Sequence, residues 1–174
     1  EEFVDFCEAL SERFNLTDKK RFVIYVHNLG YEFQFMHKYF TWTDVFSGSE
    51  RKPLKATTSL GIEFRDSYIL SGYSLANTAK NLVKHKVAKM VGDLDYTLIR
   101  TPSTPLTEKE IKYCENDIHI ILAYINEQID DSGSIAQIPM TNTGRVRKFT
   151  RDQCYYKNID GSKGNKAQYV RYRK

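Results

Sequence analysis

Tyr113-Cys114-Glu115-Asn116-Asp117 lies in a run, residues 107–129, whose apolar side chains recur at helical spacing. Positions four apart on a helix face the same way, so Tyr113 and Asp117 project together, a phenol one turn before a carboxylate. A second stretch, His27-Asn28-Leu29-Gly30-Tyr31-Glu32, follows an apolar strand and ends in another acid. Two acids brought to one place by separate elements suit divalent-metal phosphodiester chemistry. Asp117 and Glu32 would hold metal, Tyr113 would hydrogen-bond the attacking water, and Asn28 would steer a substrate strand. Each pattern also has a plain structural meaning. Tyr113 can be a half-buried aromatic and Asp117 an exposed helix charge. Asn28 can cap the following helix, with Glu32 as a dipole-favoured charge in its first turn.

The elements that must carry these residues read as α/β. Phe3, Val4, Phe6, Cys7, Leu10 and Phe14 predict an amphipathic helix over 3–13. Phe22-Val23-Ile24-Tyr25-Val26 is a short continuous apolar run, expected as a buried parallel strand covered on both faces. A helix follows from about Tyr31 to Phe40. Strand, tight turn and helix form the unit whose functional residues lie at the strand's carboxyl end. Residues 45–60 are polar and read as a loop or irregular hairpin, and 62–67 alternate as a half-buried strand would. Ser74 can cap a short helix with Leu75, Ala79 and Leu82 on its apolar stripe. The long helix at 107–129 opens with a capping box, Thr107 with Glu110. It is expected to bury Ile111, Cys114, Ile118, Ile121, Ile125 and Ile129, and Gly133 stops it. Beyond Pro139 the composition shifts, which places a boundary near 131–140.

A chain of 174 residues, 28% charged and 41% hydrophobic, suits one core plus an appendage. No apolar stretch approaches the roughly 20 residues of a membrane helix, so no membrane partner is expected. The acidic opening, Glu1-Glu2, is unlike a secretory leader, and without an initiator Met the chain reads as a fragment. Cys7, Cys114 and Cys154 are odd in number and never spaced as CxxC, which suits free thiols in a reducing cytosol. Charge is divided unevenly, with residues 145–174 at +8 and residues 1–144 at −4. An acidic body with a basic, tyrosine-containing tail suits a metal-binding core joined to a nucleic-acid track, and suits equally a solvated tail.

A family resemblance joins these pieces. Residues 25–36, Tyr25 through Met36, resemble the second exonuclease motif of the protein-primed family B DNA polymerases of phages and linear plasmids, a group with organellar and viral relatives. Tyr113 to Asp117, followed by Ile118 and Ile120-Ile121, resembles their third motif. Asp66-Ser67, Gly92-Asp93-Leu94-Asp95-Tyr96 and Leu106-Thr107-Glu108 resemble the intervening segments. Ile138 to Gly144 with Val146-Arg147 resembles the connection from exonuclease to palm. The resemblance implies a ribonuclease-H-like 3′–5′ exonuclease fold lacking its N-terminal strands. Residues 1–135 would be a partial exonuclease domain, and 136–174 a basic connecting segment or the start of the polymerase domain.

Its implied chemistry is removal of nucleotides from a primer 3′ end by four carboxylates holding two ions, Mg²⁺ or Mn²⁺, about 3.5–4 Å apart. By position, Glu32 and Asp117 are two of those acids and Tyr113 orients the nucleophile. Asn28, Ser67 and Tyr68 contact single-stranded DNA. Phe33, Tyr68 and Tyr73 are stacking candidates that core packing would explain as well. The implied parent is a DNA-directed DNA polymerase acting in DNA replication in the cytoplasm of a host cell, with organelle or virus as other settings. Its partners are DNA, deoxynucleoside triphosphates and a terminal protein.

Three departures stand out. The second-motif acid is Glu32 where the family usually has Asp. Val91 stands where some relatives place a lysine, with Lys89 the nearest substitute. The first motif, Asp-x-Glu on an opening strand, is absent: Asp5 and Glu8 fall in a helix, so the remaining metal ligands are expected upstream of Glu1 and the fragment alone is expected to be inactive. The rival readings are a stand-alone 3′–5′ exonuclease on DNA or RNA ends and a catalytically inactive DNA-binding module.

Overall fold

The computed structural model describes residues 2–49, 52–90, 97–101 and 103–153. The expectations for Val91, Gly92 to Tyr96, Cys154 and the rest of the basic tail lie outside these residues. In chain order the elements are α1 (Glu2–Phe14), β1 (Phe22–Val26), α2 (Leu29–Met36), β2 (Trp42–Ser49), β3 (Lys52–Thr58) and β4 (Ile62–Asp66). They continue with α3 (Ser67–Ser71), α4 (Leu75–Asn81), α5 (Glu108–Ser132), a 3₁₀ turn (Ile135–Gln137) and α6 (Asn142–Arg151). Among the described residues no helix is long and apolar enough to cross a membrane.

The strands form one mixed sheet in the order β1-β4-β3-β2. β1 and β4 are parallel, registered from Phe22↔Ile62 to Val26↔Asp66, and the β4–β3 and β3–β2 pairs are antiparallel. That parallel register decides the site. Val26 and Asp66 end their strands side by side, so His27-Asn28 and Ser67-Tyr68 leave the sheet as neighbours.

Side-chain alternation assigns the two faces. Ile24 and Val26 of β1, with Ile62 and Phe64 of β4, pack against Cys7 and Leu29 from α1 and α2. Tyr25 points the other way, to a cluster of Leu70, Leu82, Ala123, Tyr124, Ile125 and Ile138 under α3, α4 and α5. Gly61 makes the tight β3–β4 turn at φ +74°, a conformation open to glycine at little cost, and its carbonyl accepts from Phe22 N–H.

Three expectations change, and an open alternative is decided. β1 is parallel and covered on both faces, yet only half-buried, because among the described residues its other edge carries no strand. β4 is not half-buried but almost wholly buried, being flanked by β1 and β3. Its buried Glu63 is therefore held by Arg21 and Arg65, each 2.6 Å away. Residues 45–60 take the hairpin alternative, β2 and β3, with register shifts near Trp42, Phe46 and Ser47. Helix α2 ends at Met36, and Phe40 turns inward onto Phe64 and Trp42.

The buried face of α5 is rotated from its expected stripe. Ile120, Ala123, Tyr124, Ile125 and Gln128 are buried, whereas Ile111, Cys114 and Ile118 are exposed. Periodicity alone marks several apolar positions on this helix; the elements that cover it, α4 and the 3₁₀ turn, choose among them. The ends follow expectation: the Thr107–Glu110 capping box forms, and Gly133 closes the helix in the left-handed conformation.

Candidate functional site

The carboxyl ends of β1 and β4 are tied together by one carboxylate. Asp66 accepts from Leu29 N–H (3.0 Å) through Oδ2, and from Tyr68 N–H (2.6 Å) and Ile69 N–H (3.2 Å) through Oδ1. It therefore caps α3 and fastens the start of α2 with the same side chain. Burial pushes the Asp66 carboxyl up from its ordinary range, against the backbone N–H groups that favour its anion.

Asn28 precedes α2 but does not cap it. Its backbone is left-handed, at φ 72° and ψ 59°, and its side chain makes no cap hydrogen bond. The simple capping explanation for this asparagine is thus removed. Its exposed side chain instead borders a groove of about 500 Å³ shared with Tyr31, Gln34, Lys52 and Tyr68. Ser67 is buried and does not line that groove: its Oγ donates to Val26 carbonyl oxygen and lies 3.1 Å from His27 Nδ1. Tyr68 meets the His27 ring edge-on at 5.5 Å and remains exposed. The structure brings Asn28, Ser67 and Tyr68 together. Tyr73 is also exposed, while Phe33 packs on Trp42 with ring centroids 4.8 Å apart and so serves the core.

Tyr113 and Asp117 are half-buried on one face of α5, and Lys89 meets both. The Lys89 ammonium pairs with the Asp117 carboxylate and lies 4.0 Å from the centre of the Tyr113 ring. Burial opposes its charge, but hydrogen bonds to Asp117 and Tyr113 outweigh that cost and hold the lysine above its ordinary pKa. The link to the first group runs through His27. Burial lowers the His27 pKa, while the charges of Asp66 and Asp117 act in the opposite direction. His27 thus lies within electrostatic reach of both acids.

Glu32 is half-buried in the first turn of α2, one turn beyond Asn28, and its carboxylate has no ion-pair or hydrogen-bond partner among the described residues. Nor do three His, Cys, Asp or Glu side chains among the described residues converge where they could hold a metal ion. Glu32 and Asp117 supply two carboxylates, and Asp117 is already neutralised by Lys89. The described donors therefore do not complete a two-metal centre.

Sequence reasoning missed His27, Asp66 and Asn116 as members of this constellation. Only Asp66 carried a local signal, an aspartate directly before a helix start. His27 and Asn116 gain their roles from partners 40 and 26–28 positions away.

Fold and site define a mixed α/β protein with a four-stranded sheet among the described residues and a groove at the carboxyl end of two parallel strands. That architecture is similar to part of the solved structure of Phi29 DNA polymerase complexed with single-stranded DNA. The TM-score is 0.61 at 21% identity, over 82% of this chain and 28% of that one. The likeness is one of fold, and the chain spans little more than a quarter of that polymerase's length. No family model matches the chain, and no curated protein does.

Proposed function

We propose that this chain is part of a family B DNA polymerase and carries part of its ribonuclease-H-like 3′–5′ proofreading region. The observation that carries the reading is the placement of Asn28 and Tyr68 on one groove, with His27 beside Tyr68, hydrogen-bonded to the buried Ser67 and within electrostatic reach of Asp117. The groove suits a single-stranded 3′ end. Exposed Tyr31 and Tyr68 offer aromatic faces, Asn28 and Gln34 offer amides, and Lys52 offers a phosphate partner. The proposed reaction class is phosphodiester hydrolysis at a DNA 3′ end, with Tyr113 proposed to hydrogen-bond the water. The parent would depend on Mg²⁺ or Mn²⁺, with ligands beyond those described, and would use deoxynucleoside triphosphates, with a terminal protein as a further partner. Replication in host cytoplasm, or in an organelle or virus, is its proposed setting.

A second reading, a catalytically silent single-strand-binding region, is favoured by the Lys89–Asp117 ion pair. Degradation of a 5′-labelled single-stranded oligonucleotide by the whole parent with Mg²⁺ separates the two. The proofreading reading expects stepwise loss from the 3′ end that Asp117→Ala and Glu32→Ala abolish. Activity unchanged in both variants sinks the site assignment. Absence of nuclease activity in the wild type, with Asn28-dependent binding retained, selects the second reading.

A further inference from the structure

We infer that the cavity between α4, α5 and α6 is a second binding site, one that takes a single unpaired nucleobase. The cavity measures about 200 Å³ and neighbours the groove through α3. Tyr68 borders the groove, and Ser71, whose Oγ donates to the Tyr68 carbonyl at 3.2 Å, lines the cavity. Two hydroxyls mark the site. Thr78 and Tyr124 line the cavity, are only 3% and 8% exposed, and have buried oxygens with no hydrogen-bond partner among the described residues. Buried polar atoms are nearly always satisfied, so two orphans in one cavity point to an occupant that supplies their bonds.

The other lining groups define the chemistry of that occupant. Gln128 is buried and its Oε1 accepts from Arg145 Nη1 at 3.2 Å, which leaves its amide N–H groups as donors. Glu127 spends Oε1 on the Val83, Lys84 and His85 N–H groups, at 2.7, 2.6 and 3.0 Å, which leaves Oε2 as an acceptor. The cavity thus offers donors, an acceptor and two hydroxyls that can act as either. An anion would be opposed by Glu127 and Asp131, and a cation by Arg145. A neutral ring with donors and acceptors along its edge meets both conditions, and Tyr73, half exposed in the cavity wall, offers it an aromatic face. Sites for drug-sized ligands span roughly 300–1,000 Å³, so this smaller cavity suits one base with its sugar and phosphate left outside. The recognition chemistry stands on the cavity alone. That the base belongs to a strand held in the groove rests on the function proposed above.

The test titrates the chain with each of the common deoxynucleosides, which carry a base without phosphate, and follows the Thr78 methyl and Gln128 amide signals by NMR. At least one deoxynucleoside is expected to shift both signals to saturation, while deoxyribose 5-phosphate and glycine, which lack a base, shift neither. Tyr124→Phe removes one hydroxyl and keeps the ring, and Gln128→Leu removes the amide. Each should weaken binding about three- to tenfold, the worth of one neutral hydrogen bond. Thermal melting checks that the variants are folded, and Tyr124→Phe decides if Gln128→Leu is not. The site is overturned if no deoxynucleoside shifts these signals, which leaves the cavity to water. It is equally overturned if the base-free probes shift them as much, or if Tyr124→Phe binds as wild type. Failure of the proofreading reading is a separate result: a parent with no Asp117-dependent nuclease activity, while the deoxynucleoside shifts at Thr78 persist in the chain.

Discussion

Asp66 is the residue whose removal tests the architecture of the groove most directly. Asp66→Ala deletes three acceptor contacts at once, to Leu29, Tyr68 and Ile69 N–H groups. Loss of the α3 cap costs about 1 kcal/mol. The Leu29 N–H, on a fully buried residue, is left without a partner, which costs about 1–3 kcal/mol. Part is returned because the buried carboxylate, whose ionisation the site disfavours, is gone. The net expectation is a destabilisation of about 2–4 kcal/mol, or a Tm lower by roughly 10 °C. Urea denaturation should show a lower midpoint with an unchanged slope. Below the transition, single-stranded oligonucleotide affinity should fall several-fold, because Asn28 and Tyr68 lose their shared anchor. Acid dependence gives an independent check. A native pKa above the unfolded one means that the folded state holds the proton more tightly. This contribution is therefore greatest at low pH and is lost as pH rises through the native value. Asp66→Asn should remove that slope. A variant within 0.5 kcal/mol of wild type, or one destabilised as expected but binding DNA normally, refutes the reasoning.

Other consequences are as direct. Burial would raise the Glu63 carboxyl, but Arg21 and Arg65 hold it below its ordinary range. Its contribution is complete above that range and lost as pH falls through the native value, and Glu63→Gln should cost about 2–4 kcal/mol near pH 7 and flatten the acid limb of a stability–pH curve. The Tyr124 hydroxyl is buried without a hydrogen-bond partner among the described residues, and burial pushes it up to about 12. Tyr124→Phe should therefore change stability by less than about 1 kcal/mol, in either direction, by thermal melting. At Gly61 a Cβ would lie 2.8 Å from Leu16 Cβ at φ +74°, so Gly61→Ala should lower the denaturation midpoint by at least about 1–2 kcal/mol.

Signals written within a few residues of one another were legible in the sequence. β1 is a short apolar β-branched run, the α5 start is a threonine with glutamate three positions on, and its end is a glycine able to turn left-handed. The pairing of Tyr113 with Asp117 on one helix face follows from the helical repeat. So does the separation of Asn28 from Glu32 by a single turn. In each case the determining interaction spans at most four or five residues, and the chemistry of the side chain is sufficient to specify it.

What tertiary structure alone decided depends on contacts between distant segments. Burial of β4, with its ion-paired Glu63, follows from having neighbours on both edges. Exposure of Ile111 and Ile118 follows from where α4 and the 3₁₀ turn stop covering α5. Asn28 matches a cap in sequence, but the Asp66 carboxylate takes the Leu29 N–H, leaving the asparagine side chain for the groove. Asp117 reads as an available acid until residues 88–90 are laid against Asn116, 26–28 positions away, and Lys89 is seated on it. Local side-chain chemistry specified which groups the chain possesses. The packing of remote segments decided which of those groups are already satisfied, because a hydrogen bond or ion pair spends a group's capacity wherever its partner lies in the sequence.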